Sequence, residues 1–394
     1  MPSLITTCPV CQTNALQSFV HRSAVPVHQN LVIDSLQAAR SIAQGVLELA
    51  VCTHCGFVCN RAFDLSLLAY GQNYDNTQSC SPYFDAYLDD LVRHLVEERG
   101  LRNCTIVEVG CGKGQFLRKL VSYPGANNRG FGFDPSYVGP DAELDGRLTF
   151  RRCYYDDTCT DVRADAVVCR HVIEHVPQPL ALLHSVRQAL THTPQARVFF
   201  ETPCVEWILR HRVVWDFFYE HCSLFSASSL RTAFEQAGFA VQQVDHLFNG
   251  QYLWLEAQPT VGPLKTSPHP LTDTIALALA YSNEEDKLRQ LWHERLQALR
   301  QHGKIALWGA GAKGATLANL VDPEATLIDC VVDINPRKQG HYLPGTGHPI
   351  IAPTDLPQRQ IKQAILMNPN YRQENLQLLA QAHIPLELID WSES

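Results

Sequence analysis

Residues Ile106-Val-Glu-Val-Gly-Cys-Gly-Lys-Gly114 run an apolar strand straight into a glycine-rich turn. Such a turn belongs at the carboxyl end of a parallel strand. There Gly110, Gly112 and Gly114 let the backbone bend sharply and approach a ligand with no Cβ in the way. Gln115 to Val121 has helical apolar spacing, so the turn opens a helix whose N-terminus faces the bound molecule. The next strand, Gly130-Phe-Gly-Phe-Asp134, ends in a carboxylate. It lies about twenty residues past the loop, where doubly wound folds hold ribose hydroxyls.

That spacing fits either a dinucleotide or S-adenosylmethionine, and three details favour the second. Glu108 precedes the glycines, where a carboxylate can meet the donor's ammonium group. The turn lacks the extended dinucleotide fingerprint. A third strand, Ala164-Asp-Ala-Val-Val-Cys-Arg-His-Val-Ile-Glu-His175, ends at the same cleft edge. The stretch resembles class I S-adenosylmethionine-dependent methyltransferases over roughly residues 85–255. The resemblance implies an α/β fold built on a central Rossmann-like sheet. It implies donor contacts from Glu108, Gly110, Gly112, Gly114, Asp134 and Pro135, and from His171 in the turn after the third strand.

A chain of 394 residues holds two or three domains with proper cores. With 45% hydrophobic and 18% charged residues it reads as a soluble globular protein. A net charge of −8, with no Lys/Arg run, argues against a nucleic-acid groove. No apolar stretch is long enough for a bilayer, and no charged n-region leads an apolar run at the start. The expectation is a cytoplasmic protein, monomer or homodimer, acting on a small molecule.

Cys8-Pro-Val-Cys11 and Cys52-Thr-His-Cys55 form two C-x-x-C knuckles that bring four thiolates within tetrahedral reach of one structural Zn²⁺. A redox C-x-x-C or two unrelated disulfides are the alternatives. His54 is expected to face solvent, and most of the other cysteines to be small buried hydrophobes.

Residues 1–60 are therefore read as a zinc-binding module and 61–84 as a connector carrying Tyr70, Tyr74 and Tyr83. Residues 85–260 form the methyltransferase-like domain, led by an amphipathic helix from Phe84 to Arg99. The proline-rich stretch Gln258–Pro270 reads as a linker into 261–394. There a long helix from Ile275 to Gln301 precedes a second signature, Lys304-Ile-Ala-Leu-Trp-Gly-Ala-Gly-Ala-Lys-Gly314, whose partner strand ends at Asp333. Gly309, Gly311 and Gly314 match G-x-G-x-x-G, so an NAD(P)-dependent oxidoreductase is the rival reading. Against it, no hydride-transfer acid–base set stands nearby, and the remaining chain is short for two mononucleotide halves. The segment reads better as a half-Rossmann domain whose loop, with Trp308, Lys313 and Asp333, grips a phosphate of the acceptor.

A sulfonium methyl already carries its leaving group, so catalysis reduces to positioning plus a base that exposes electrons on the acceptor. Phe217-Phe-Tyr-Glu-His221 sets Tyr219, Glu220 and His221 in a row between aromatics, and His221 is the candidate base. Read instead as a stabilising pair, Glu220 and His221 would serve the fold alone. His171 and His175, four residues apart, are candidates for hydrogen bonding to substrate or core rather than for metal.

Taken together, the two knuckles, Tyr74-Asp-Asn-Thr-Gln-Ser-Cys-Ser-Pro82, the Glu108–Gly114 loop, Glu220-His-Cys-Ser-Leu-Phe-Ser226, Trp308–Gly314 and Asn368-Pro-Asn-Tyr371 resemble the sugar C-methyltransferases of deoxysugar pathways over the full length. That resemblance implies a nucleotide-linked keto-sugar spanning the central and C-terminal domains. It implies His221 as the base that forms an enolate, Glu220 orienting it or binding sugar, and Tyr74 and His175 assisting. Phe218 stands where the family usually has a Tyr, with Tyr219 beside Glu220, and His171 where it often has Asn. These departures leave the particular sugar, and C- versus O-methylation, open.

Overall fold

The computed structural model describes residues 4–68, 74, 75, 78, 80–159, 161–260 and 273–391, with only the backbone of residue 157. Tyr70, connector residues Asn76, Thr77 and Ser79, and linker residues 261–270 lie outside the described residues.

The central sheet places the strand that carries the glycine turn, Thr105–Val109, in its interior. Eight strands follow the spatial order Phe239–Leu247, Tyr252–Pro259, Arg197–Pro203, Ala166–Arg170, Thr105–Val109, Arg129–Phe133, Leu148–Arg151, Ala142–Glu143. The strands from Arg197–Pro203 to Leu148–Arg151 are mutually parallel. Tyr252–Pro259 runs antiparallel between Arg197–Pro203 and Phe239–Leu247. From Thr105–Val109 the chain winds out to one side and then returns to Ala166–Arg170 on the other. That reversal opens a crevice at the carboxyl ends of these two strands.

Alternation along the strands sorts the two faces. Ile106, Val168, Phe199 and Trp254 pack under the helices Pro82–Arg93 and Gln115–Ser122. Val107, Val109, Val167 and Phe200 face the opposite way, toward Leu183, Leu230 and the knuckle residues Cys8, Cys52 and Cys55. The leading helix starts at Pro82 because Ser81 Oγ accepts the Phe84 N–H at 3.1 Å and Pro82 fits the first turn. It ends as an α-helix at Arg93 and continues as a π-helical turn, His94–Glu98.

The strand between Asp134 and Ala164, Leu148–Arg151, is an element the sequence reading did not foresee. The long helix expected from Ile275 to Gln301 is two helices, Thr274–Ser282 and Glu285–Gln301. Ser282 and Asn283 are poor helix interior residues that favour local backbone bonding. The Asn283 N–H here turns back to the Ala280 carbonyl and closes the first helix.

The amino-terminal module is an antiparallel sheet of Leu16–Pro26, Gln44–Cys52 and Val58–Asn60. Its fourth strand, Ser223–Leu224, comes from the segment directly after His221. The carboxyl-terminal unit has a parallel sheet in the order Ile350–Ile351, Cys330–Val332, Lys304–Trp308, Ile361–Leu366, Glu387–Asp390. One apolar core joins both units to the stretch around residue 215: Phe19 and Leu47 from the module, Trp215 and Phe217 from the centre, and Leu307 and Leu317 from the last unit. All fourteen cysteines are unbridged. Among the described residues no helix is long and apolar enough to cross a membrane.

Candidate active site

The glycine turn adopts the conformation its residues allow. Gly110, Gly112 and Gly114 have φ of 67°, 53° and 75°, a region L side chains rarely enter. A Cβ on Gly110 would stand 2.1 Å from Val172 Cγ2, whereas one on Gly112 would meet nothing within 4 Å, so the loop leaves open room there. Asp134 latches the turn. Its carboxylate accepts the Gly112 N–H at 2.8 Å through one oxygen and the Ser136 N–H and hydroxyl, at 2.7 and 2.6 Å, through the other. Pro135 follows directly in the chain.

Glu108 is 3% exposed, and its Oε2 has no hydrogen-bond partner. Burial raises its pKa to about 8, against the pull of Arg170. An orphaned buried carboxyl oxygen beside an open glycine turn fits a ligand ammonium group.

A cleft of about 320 Å³ opens between the central and carboxyl-terminal units. His171, Glu174, His175 and His221 line it from the centre, Tyr74 from the connector, and Trp308, Gly309, Gly311, Lys313, Gly314 and Asp333 from the carboxyl-terminal unit. The sequence reading named all of these except Glu174. The His175 and His221 rings meet edge to face at 4.8 Å, and Phe218 lies 4.0 Å from His221. Burial, then His175, His171 and Lys313, push the His221 pKa well below the ordinary imidazole value. Both causes favour the neutral, proton-accepting form of the ring.

His171 has φ of 54° at the start of the turn, and its Nδ1 lies 3.4 Å from Glu174 Oε1. Its ring packs edge-on against Tyr252 at 4.5 Å.

Tyr219 and Glu220 sit elsewhere. The Tyr219 ring is buried against Phe63 and Gly45, and its hydroxyl bonds the backbone of Asp64. Glu220 is fully buried, and its carboxylate accepts from His28 Nδ1 at 3.2 Å and the Gln29 N–H at 3.0 Å. Both hold the His221 segment onto the amino-terminal module. A turn at Tyr219 and Glu220, closed by the His221 N–H donating to the Phe218 carbonyl at 3.3 Å, separates these two side chains from the His221 ring.

Lys313 Nζ pairs with Asp216 and lies 5.4 Å over the Trp207 ring. Asp333 repeats the Asp134 arrangement, accepting the Ala310 and Asn335 N–H groups at 2.8 Å each. Two further cleft residues escaped the sequence reading. Lys338 is 6% exposed, with Nζ on Asn30 Oδ1 at 3.2 Å and the Ala310 carbonyl at 3.1 Å. Asn335 presents a buried Nδ2 with no partner. Both follow Asp333 in an irregular loop, where no periodicity marks them.

Between the two loops the buried Asp75 carboxylate meets Lys113 Nζ at 3.0 Å and Arg337 Nε at 3.3 Å. It ties the connector to the glycine turn and to the last unit.

In the amino-terminal module Cys8, Cys11, Cys52 and Cys55 place their sulfurs within 4.8 Å of one another, with Cys8–Cys55 at 3.7 Å and Cys11–Cys52 at 3.4 Å. A tetrahedral ZnS₄ centre with Zn–S near 2.3 Å has sulfur–sulfur edges of about 3.8 Å, so these four fit a metal ion. His54 is exposed.

Residues 83–244 match the family described as "Methyltransferase domain", and residues 269–384 match "C-methyltransferase C-terminal domain". The chain carries a methyltransferase domain followed by a C-methyltransferase carboxyl-terminal domain. A ubiquinone biosynthesis O-methyltransferase of Salmonella paratyphi A is 31% identical over 111 residues, which is 26% of this chain and 44% of that protein. The chain thus spans less than half the length of that curated relative. Among solved structures, a Burkholderia thailandensis 1,6-didemethyltoxoflavin-N1-methyltransferase covers 45% of this methyltransferase at 13% identity, with 81% of that chain matched and a TM-score of 0.35. The Synechocystis magnesium protoporphyrin IX methyltransferase covers 45% at 17% identity, with 84% matched and a TM-score of 0.34.

The glycine turn latched by Asp134 is the expected adenosine site of a methyl donor, and that expectation is open to direct measurement. Asp134→Ala removes the carboxylate expected to meet the ribose and unlatches Gly112. It is expected to weaken S-adenosylmethionine by about tenfold or more in calorimetric titration. Unchanged affinity would place the ribose elsewhere.

Proposed function

We propose that the protein methylates a carbon next to a ketone on a nucleotide-linked sugar, with His221 as the base. The observation that carries this reading is the His221 ring, half-buried and edge to face with His175 in the cleft between the central and carboxyl-terminal units. The sulfonium donor supplies an electrophilic methyl group and a neutral thioether leaving group. His221 takes the α-proton of the acceptor, and the C–H electrons become an enolate. The enolate carbon then forms the new C–C bond as the methyl–sulfur bond breaks, leaving S-adenosylhomocysteine.

His175 and Tyr74 are placed to hold the acceptor oxygen. Lys313, Lys338, the free Nδ2 of Asn335 and the start of the Ala312–Val321 helix suit phosphate oxygens on the far side of the cleft. Cys8, Cys11, Cys52 and Cys55 hold a structural zinc in this reading.

Methyl-labelled donor, offered with a panel of nucleotide-linked keto-sugars in D₂O, tests the proposal. Label on carbon, together with deuterium exchange at the α-position in the presence of S-adenosylhomocysteine, is the expected result. Label on oxygen without exchange would instead favour O-methylation, the activity named for the Salmonella relative. Binding of NAD(P) with no methyl uptake would restore an oxidoreductase built on Gly309–Gly314.

A further inference from the structure

The donor's amino-acid end is a zwitterion, and Glu108 answers only its ammonium group. Arg170 ends the Ala166–Arg170 strand, two residues past Val168, the register partner of Glu108 on the neighbouring parallel strand. Positions two apart share a sheet face, so the guanidinium and the Glu108 carboxyl lie on the same side, one diagonal step apart.

Arg170 is held from two directions. Its Nε donates to Glu201 Oε2 at 2.6 Å, and its guanidinium carbon lies 4.6 Å from the Phe116 ring centroid. Glu201 is itself pinned by the Tyr87 hydroxyl. Phe116 is the second residue of the helix that the glycine turn opens.

So anchored, Arg170 leaves its buried Nη2 with no hydrogen-bond partner, while Glu108 leaves Oε2 in the same condition. The two orphans do not bond one another. A spare cationic donor and a spare carboxyl acceptor, fixed in one buried patch at the foot of the glycine turn, match the charge pattern of an α-amino acid. We infer that Arg170 binds the α-carboxylate of the methyl donor while Glu108 takes its ammonium group. Glu201, Tyr87 and Phe116 act as the frame that aims the guanidinium. This assignment rests on the donor reading of the glycine turn and extends it to a residue outside that turn.

The test is calorimetry on the full chain with three ligands: S-adenosylhomocysteine, its decarboxylated analogue, and 5′-methylthioadenosine, which lacks the amino-acid end. The native protein should prefer S-adenosylhomocysteine to the decarboxylated analogue by about tenfold or more. Arg170→Met, which keeps the stem against Phe116, should erase that preference. It should leave the other two ligands within about twofold, and Arg170→Lys should fall between. Equal native affinity for the carboxylated and decarboxylated ligands overturns the assignment without any variant being needed. So does an Arg170→Met protein that weakens all three ligands alike, since that marks support of the fold. If none of the three binds the native protein, the donor reading itself fails.

Discussion

His221→Ala is expected to lower turnover by on the order of 10²–10⁴ while leaving S-adenosylmethionine affinity within about twofold. The asymmetry follows from where the ring sits. His221 lines the cleft with His175 and Lys313, whereas Glu108 and the Gly112 latch belong to the glycine turn. Loss of the imidazole should also abolish deuterium exchange into the acceptor's α-position, a readout that fold damage alone would not separate from donor binding. Exchange that persists in the variant would move the base to His175 or Tyr74.

The same ring sets the acid limb of the pH–rate profile. Burial and the neighbouring His175, His171 and Lys313 depress its pKa, so the proton-accepting form stays populated below the ordinary histidine value near 6.5. The acid limb of kcat/KM should therefore fall at a pH below 6.5, and a limb at or above that value would contradict the assignment. Stability follows the same sign. The folded state resists protonation more than the unfolded chain does. The stabilising contribution is therefore full above about pH 6.5 and is lost as pH falls toward the folded value.

Much of this site was legible because its parts are local in sequence. A strand, three glycines and a carboxylate one strand later specify a tight, latched turn through backbone conformation alone. Gly110 and Gly112 carry the left-handed angles that the motif demands. What the sequence concealed is long-range. Glu220 stands next to His221 in the chain, yet its partners are His28 and Gln29, 192 and 191 residues away. No pattern within the Phe217–His221 segment reports that separation of roles. Lys338 and Asn335 lie in an irregular loop and gain meaning only when the Lys304–Trp308 and Cys330–Val332 strands bring that loop over the cleft. Arg170 reads as one more strand residue until register sets it beside Glu108. The break at Ser282–Asn283 was visible in composition, but the uncharged run before it and the charged run after it are both rich in helix formers and read as one continuous helix.

Removing metal from the Cys8–Cys11–Cys52–Cys55 site should collapse turnover by at least about tenfold while donor affinity survives. A ZnS₄ centre in a small module contributes its binding free energy, on the order of 10 kcal/mol or more, directly to local folding. Here the module's sheet continues into Ser223–Leu224, two residues beyond His221. The module also clamps the segment leading into that histidine. Arg22 donates to the carbonyls of Phe217 at 2.6 Å and Val214 at 2.8 Å, His28 and Gln29 hold Glu220, and the Tyr219 hydroxyl bonds the Asp64 backbone. Losing the sheet releases all of these, and a base that wanders by an ångström loses its alignment with the acceptor. Glu108 is insulated because strand alternation turns it toward the Pro82–Arg93 and Gln115–Ser122 helices, whereas the knuckle cysteines pack on the Val107 and Val109 face. Metal analysis should return one zinc per chain in a reduced, folded preparation. Chelation, or Cys52→Ser, should then lower turnover with S-adenosylhomocysteine affinity within a few-fold of native, measured on the same sample. A metal-free native protein would remove the zinc, and unchanged turnover after its extraction would free the His221 segment from the module.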